Sequence, residues 1–262
     1  VVYNRTRSKA EELTGNGARW AESPGEAAAG ADVVFTIVGF PDDVEEVYFS
    51  DQGILATASA GTVLVDMTTS RPDLAVRIAE EAESRGMAAL DAPVSGGDVG
   101  AREARLPIMA GGPAAAFEKV QPLFELMGAN IVHQGPAGSG QHTKMCNQIA
   151  IAAGMLGVCE SMAYAKASGL DPQTVLKSIE SGAAGSWSLS NLAPRMIAGN
   201  YAPGFYVKHF IKDLSIALES ARKMQLRTPG LELARRLYQE LAEKGGADDG
   251  TQALFKLYDP ES

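Results

Sequence analysis

Lys144 stands in the stretch "GQHTKMCNQIA". On a helix it shares a face with Gln148, four residues on, and Asn147 lies beside them. Further along that face come Ile151 and Met155, so the helix turns apolar as it proceeds. Lys144 would then sit at the wet mouth of an otherwise dry helix. A partly desolvated ammonium titrates below its usual ~10.4, which suits a proton donor and acceptor near neutral pH. A helix start open to water would explain the same residues without chemistry. Three further stretches carry groups of this kind. "VDMTTSRPDL" places hydroxyls at Thr68, Thr69 and Ser70 after an apolar run, where helix capping by Thr69 or Ser70 is the plain alternative. "DAPVSGGDVGARE" places Ser95, Gly96 and Gly97 after another. Two glycines let a ligand approach the backbone, and a carboxylate could lie against those amides and the Ser hydroxyl. A plain turn would use the same residues. "PGFYVKHFIKDL" brings Lys208 and Lys212 onto one helix face, with Asp213 beside Lys212. That is either an exposed ion-pair stripe or a way to deliver Lys212 to a site.

The elements that must position these groups follow from apolar patterning. Up to about residue 134 short apolar runs alternate with helical segments. The runs are "VVY", "ADVVFTIVG", "GTVLVDM", "MAALDAPV", "LPIMAGG" and "ANIVHQG". Several intervening helices begin at Pro, as helix starts favour. "VVFTIV" and "TVLVDM" are apolar on both faces, as strands covered by helices on both sides are. This alternation predicts an α/β fold with a parallel, doubly wound sheet, on which ligands bind at the carboxyl ends of the strands. After about residue 136 the strand signal stops. A helix of roughly 30 residues is expected from "AGSGQHTKMCNQ" to "AKASGL", buried all round. Further helices follow, one of them capped by Asp171 with Pro172 behind it. The expected domains are 1–136, a Rossmann-like nucleotide-binding unit, and 137–262, an all-helical unit for substrate and dimerisation, built on the long interdomain helix.

The totals exclude several classes. Apolar residues are 45% and charged residues 21% of 262, enough for a proper core. A net charge of −9 argues against nucleic acid or an anionic membrane surface as the partner. The two cysteines, Cys146 and Cys159, make no disulfide framework and are expected as buried thiols. No uninterrupted run of about 18 apolar residues and no leader peptide is evident, so a cytoplasmic protein is expected. His133, His142 and His209 share no metal-ligand spacing, and no metal is expected. The opening "VVYNRTRS" reads as a strand end and a polar turn. In a Rossmann domain the turn after the second strand faces the adenosine ribose. An acid there suits NAD, and an Arg there suits the 2′-phosphate of NADP. Arg5 offers a planar fork, and Asn4 and Thr6 can add hydrogen bonds. A solvated turn is the bland alternative.

"DAPVSGG", "GQHTKMCNQ" and "FYVKHFIKDL", with "NRT" and "MTTS", resemble in order and spacing the segments of the β-hydroxyacid dehydrogenase family, which includes 3-hydroxyisobutyrate dehydrogenase and tartronate semialdehyde reductase. The resemblance runs from Val1 to about residue 255. It implies an NAD(P)-dependent enzyme that moves a hydride between nicotinamide and a small β-hydroxyacid or semialdehyde. Lys144 is then the acid/base. Ser95, Gly96 and Gly97 hold the substrate carboxylate, and Asn147, Gln148, Phe205 and Asp213 adjoin it. Gln148 stands where the family usually has a second Asn. Thr69 and Lys212 would meet the nicotinamide half, and Asn4, Arg5 and Thr6 the adenosine phosphate, which favours NADP with NAD as the alternative. Trp187 and Asn191 are candidates for the pocket wall. A homo-oligomer, dimer or tetramer, is expected. The family's first strand and Gly-x-Gly-x-x-Gly turn would precede Val1. The expectation is therefore an N-terminally truncated Rossmann-like fold, a fragment that lacks its first strand and pyrophosphate turn, and an inactive fragment is one alternative to the enzyme reading. Two other readings stay open: a non-catalytic oligomerisation or binding module of the same fold, and an imine reductase, a branch that replaces the Lys.

Overall fold

The β-branched runs of the first half form strands, and their alternation decides which helices cover them. The computed structural model describes residues 1–259. The chain divides into two compact units, one of Val1–Gly96 with Gly100–Lys144, the other of Gly97–Val99 with Met145 onward.

The first unit holds five strands: β1 Val33–Thr36, β2 Val63–Asp66, β3 Ala88–Asp91, β4 Leu106–Gly111 and β5 Gly128–Gly135, side by side in that order. Its helices are α1 Glu11–Gly15, α2 Pro24–Ala28, α3 Pro41–Phe49, α4 Ile54–Thr57 and α5 Pro72–Ser84, with α6 Gly97–Arg102 at the unit boundary and then α7 Ala114–Phe124. Pro opens α2, α3 and α5, where its fixed φ suits the helix and its missing N–H is no loss. Ser23 caps α2 by accepting the Glu26 N–H. Along β2 the residues alternate between two cores. Leu64 packs with Tyr48, Leu74 and Ile78, while Val63 and Val65 pack with Leu90, Val120 and Phe124. All four β2 residues are buried, which is why the run reads as apolar on both faces.

Two expectations are corrected here. The sheet is mixed: β1, β2 and β3 are parallel and so are β4 and β5, but β3 and β4 meet antiparallel at Asp91 and Gly111. The cause is local. Gly96 and Gly97 take φ of +114° and +62°, which reverses the chain, so Val94 bridges Ile108 antiparallel. The opening "VVY" is not a sheet strand. Val2 makes one isolated parallel bridge, to Trp20, donating to the Arg19 carbonyl and accepting from Ala21. The short α1 and Gly17 at φ +97° return the chain beside Val2 for a single pairing.

The second unit is helical: most of α8 Ser139–Ala167, then α9 Pro172–Ile179, α10 Trp187–Ile197, α11 Val207–Lys223 and α12 Pro229–Glu243. Asp171 caps α9 by accepting the N–H groups of Gln173 and Thr174. The core gathers Met155, Cys159 and Met162 with Phe210, Leu214, Tyr238 and Phe255. Phe210 and Tyr238 meet edge to face at 4.9 Å, and the Tyr238 hydroxyl donates to the Thr251 carbonyl at 2.9 Å. The long helix is not buried all round. Cys146, Ala150, Ala153, Gly154, Gly157 and Tyr164 are exposed, so Cys146 is an exposed thiol and only Cys159 a buried one. By length and composition α8 could cross a membrane, with a window of mean hydropathy 1.2, although none of its apolar runs is long. Much of that window is buried inside the protein, as in a core helix.

Candidate functional site

The carboxyl ends of the parallel strands set the first group of site residues. Thr36, Asp66 and Asp91 end β1, β2 and β3 in register. Beyond them the backbone is tied across: Met67 donates to the Thr36 carbonyl, and Ala92 to the Asp66 carbonyl. The Asp66 carboxylate accepts the Thr68 N–H at 3.0 Å, and Thr68 Oγ1 accepts the Val38 N–H at 2.9 Å. Arg71 stands at the N-cap of α5 and its own side chain makes no cap hydrogen bond, and the Ser70 hydroxyl is buried without a hydrogen-bond partner, so Ser70 is not the cap. The hydroxyl-bearing loop is shaped instead by Gln141, which is fully buried. Its Oε1 accepts the Ser70 N–H at 2.9 Å, and its Nε2 donates to the Thr68 carbonyl at 2.7 Å.

Gln141 is itself anchored by Asp91. One carboxylate oxygen accepts the Gln141 N–H at 2.8 Å and the other accepts the Gly138 N–H at 2.8 Å. A carboxylate against the first N–H groups of a helix meets donors that have no intrahelical partner. Burial pushes Asp91 up to about 6, against the pull of the Gln141 and Gly138 N–H donors. The approach requires glycine on both sides. A Cβ on Gly111 would lie 2.6 Å from Asp91 Oδ1, and one on Gly140 would overlap the carbonyl oxygens of Met109 and Asp91. Lys144 follows Gln141 by three residues on α8 and is buried, at 6% exposure. Sequence reasoning passed over Gln141 and Asp91. Asp91 was visible as an acid between apolar runs, but nothing in the spacing ties Gln141 to Thr68 and Ser70.

Ser95, Gly96 and Gly97 form the reversal after β3, as described. The Ser95 N–H donates to the Pro107 carbonyl at 3.0 Å, so that amide serves the strand pairing. A carboxylate cradle here would draw on the Ser95 hydroxyl and the glycine backbone. At the opening turn, Asn4 Nδ2 donates to the Thr6 carbonyl at 2.7 Å, folding Asn4 onto its own turn. Arg5 projects outward, 81% exposed, and meets Asp43 of α3 at 3.0 Å.

The second unit contributes its own polar chain. Asn147 Nδ2 donates to Gln148 Oε1 at 2.6 Å, and Gln148 Nε2 donates to Asp213 Oδ2 at 2.6 Å. Lys212 Nζ lies 3.0 Å from Asp213 Oδ1. Lys212 is 12% and Asp213 1% exposed, so this pair is no surface stripe. Lys208 turns away to an exposed pair with Asp248 at 2.6 Å. Both ends of the Gln148 amide are thus engaged within the protein. Phe205 packs edge-on against Phe210 at 5.9 Å. Burial, then the charge of Lys212, lowers the pKa of His209. Trp187 is exposed, and its carbonyl accepts from Asn191 at 2.9 Å within α10. Among the described residues no group of three His, Cys, Asp or Glu could hold a metal.

The donor set fits a dinucleotide at its two ends. An outward guanidinium on a polar turn suits the adenosine phosphate, and a hydroxyl loop beyond β2, clamped by a Gln141 three residues ahead of a buried Lys144, suits the nicotinamide end. The sequence carries no Gly-x-Gly-x-x-Gly turn.

Comparison with known proteins gives the family. Residues 1–135 match the family described as the NAD binding domain of 6-phosphogluconate dehydrogenase. Residues 138–258 match the one described as NAD-binding of NADP-dependent 3-hydroxyisobutyrate dehydrogenase. An uncharacterised oxidoreductase of Bacillus subtilis is 60% identical over 98% of this chain and 90% of its own length. A probable 3-hydroxyisobutyrate dehydrogenase-like protein of Arabidopsis thaliana, described as mitochondrial, is 48% identical over 97% of this chain and 76% of its own. The solved structure of Mycobacterium tuberculosis 3-hydroxyisobutyrate dehydrogenase with L-serine superposes with a TM-score of 0.88 at 29% identity, covering 97% of this chain and 88% of that one. With both halves matched and a Rossmann-like sheet followed by a helical unit, the chain belongs to the β-hydroxyacid dehydrogenase family and is an NAD(P)-dependent oxidoreductase.

Proposed function

We propose that the enzyme is an NADP-preferring dehydrogenase or reductase of small β-hydroxyacids with Lys144 as general acid/base. The observation that carries this reading is a buried Lys144 three residues beyond Gln141, the residue that grips the Thr68–Ser70 loop. The bound nicotinamide supplies the hydride in reduction and takes it in oxidation. In reduction the Lys144 ammonium would give a proton to the alkoxide that develops on the semialdehyde carbonyl oxygen. In oxidation the neutral Lys144 amine takes the hydroxyl proton. The Ser95 hydroxyl and the Gly96–Gly97 backbone hold the substrate carboxylate and so fix the carbonyl. Asn147, Gln148 and Asp213 bind the substrate, and they are held to one another by the hydrogen-bonded chain that ends on Lys212. Thr69 and Lys212 meet the nicotinamide half. Phe205 adds an apolar wall.

Asn4, Arg5 and Thr6 hold the adenosine phosphate. The Arg5–Asp43 pair is largely exposed, and such pairs contribute about 0–1 kcal/mol, so a phosphate dianion can take the guanidinium from it. The domain roles follow: residues 1–136 bind the cofactor, and 137–262 carry substrate contacts and self-association as a homo-oligomer. The deciding experiment replaces Lys144 with Ala in the intact enzyme and follows NADPH and NADH oxidation with a panel of small semialdehyde acids. Turnover is expected to fall by about 10²–10⁴-fold while NADPH affinity holds. Retained turnover would remove Lys144 from the mechanism.

A further inference from the structure

We propose that Gln141 is a positioning residue that sets the Thr69 hydroxyl against the same helix turn that carries Lys144. The inference rests on the assignments of Thr69 and Lys144 above and adds the part that couples them. One side-chain amide holds both neighbours of Thr69: Gln141 accepts from the Ser70 N–H and donates to the Thr68 carbonyl. Thr69 is thereby fixed from both flanks. The same residue's backbone N–H is held by Asp91, which also holds Gly138, so the first turn of α8 cannot slide along the ends of β3 and β4. Gly111 and Gly140 leave no slack around that carboxylate. Thr69 and Lys144 are thus referenced to one buried side chain.

A loop this constrained serves positioning rather than affinity alone. Near-attack geometry is sensitive at the ångström level, and a displacement of about 1 Å can cost about 10²-fold in rate. Loss of the Gln141 amide releases the loop while leaving Lys144 and the carboxylate cradle in place.

Gln141→Leu keeps the volume and removes both hydrogen bonds. Gln141→Glu can restore both when protonated, because the acid then has an O–H for the Thr68 carbonyl and a C=O for the Ser70 N–H. When ionised it faces the Thr68 carbonyl with no proton to give. The charged or titratable groups around the position are Asp91, Asp66, Arg71, His142 and Lys144, and the parent has all of them. Activity is therefore read as the ratio of variant to parent. For Gln141→Leu, kcat should fall by about 10–100-fold, with KM for the semialdehyde within about threefold of the parent. In the cofactor-free protein the Ser70 amide should exchange faster, and NADPH titrated by fluorescence should bind more weakly. For Gln141→Glu, the ratio of kcat to the parent should rise as pH falls from 8 to 6. Faster Ser70 exchange with kcat and NADPH affinity unchanged would make the clamp structural only and overturn the inference, as would a Gln141→Glu ratio flat with pH. If the parent reduces none of the semialdehydes, the proposed function fails instead, and the exchange and NADPH measurements still decide the role of Gln141.

Discussion

Arg5 and Lys144 show how differently two cations are placed by their surroundings. Arg5 is exposed on a turn and paired at 3.0 Å with the partly buried Asp43. Its pair is weak, and its planar fork is open to a phosphate. Arg5→Ala should lower kcat/KM for NADPH by about 10–100-fold, the value of one charge-assisted contact or two, and leave NADH nearly unchanged. Equal losses with both cofactors would refute its selector role. Lys144 is buried at the start of a long helix. Under the proposed acid/base role its substitution is expected to act on turnover rather than on cofactor binding. The two glycines that bracket Asp91 belong to the same scale. Gly140→Ala pushes a methyl group into two carbonyl oxygens and should destabilise the first unit by about 1–3 kcal/mol in urea unfolding.

At the scale of elements, the junction of β3 with α8 decides the site. A buried carboxylate receives the first N–H groups of the helix and is still held up at about 6, because burial outweighs those donors. A folded pKa above the unfolded 3.8 means that the native state binds the proton more tightly. That contribution is full below about pH 4 and is lost as pH rises through 6. Ionised Asp91 therefore costs on the order of 3 kcal/mol above pH 6. Asp91→Asn removes the titration. The stability of Asp91→Asn relative to the parent should rise between pH 4 and pH 7 in urea titrations. A difference that stays level, or falls, would show that the N–H donors at the head of α8 dominate over burial. The reversal at Gly96–Gly97 is the other decisive junction, since it makes the sheet mixed and commits the Ser95 amide to Pro107.

At the scale of the molecule, each unit has its own core. Leu64→Ala in the first and Phe210→Ala in the second each remove a fully buried side chain and should cost about 2–5 kcal/mol. The measurement is the chemical unfolding midpoint of each variant. The net charge of −9 leaves the binding of an anionic cofactor to local groups such as Arg5. The proposed homo-oligomer is checked by sedimentation velocity, where a dimer or larger species is expected and a lone monomer would remove that part of the proposal.

The sequence by itself determined five of the six strand runs, the Pro-started helices, a helix of about 30 residues and the family motifs in their order. These rest on periodicities of two and 3.6 and on short spacings, all local properties. "VLVD" announced a strand covered on both faces because every one of its residues must be buried. It did not determine the antiparallel junction, because a pair of glycines tells only that the chain can turn. It also did not determine the side-chain network. Gln141 reaches Ser70 and Thr68 across 71 and 73 residues, Asp91 reaches Gln141 across 50, and Gln148 reaches Asp213 across 65. Such pairs have no period. A buried amide is placed by whichever orphaned N–H and C=O groups the packed strands and helices leave within its reach, and only the tertiary structure decides which groups those are.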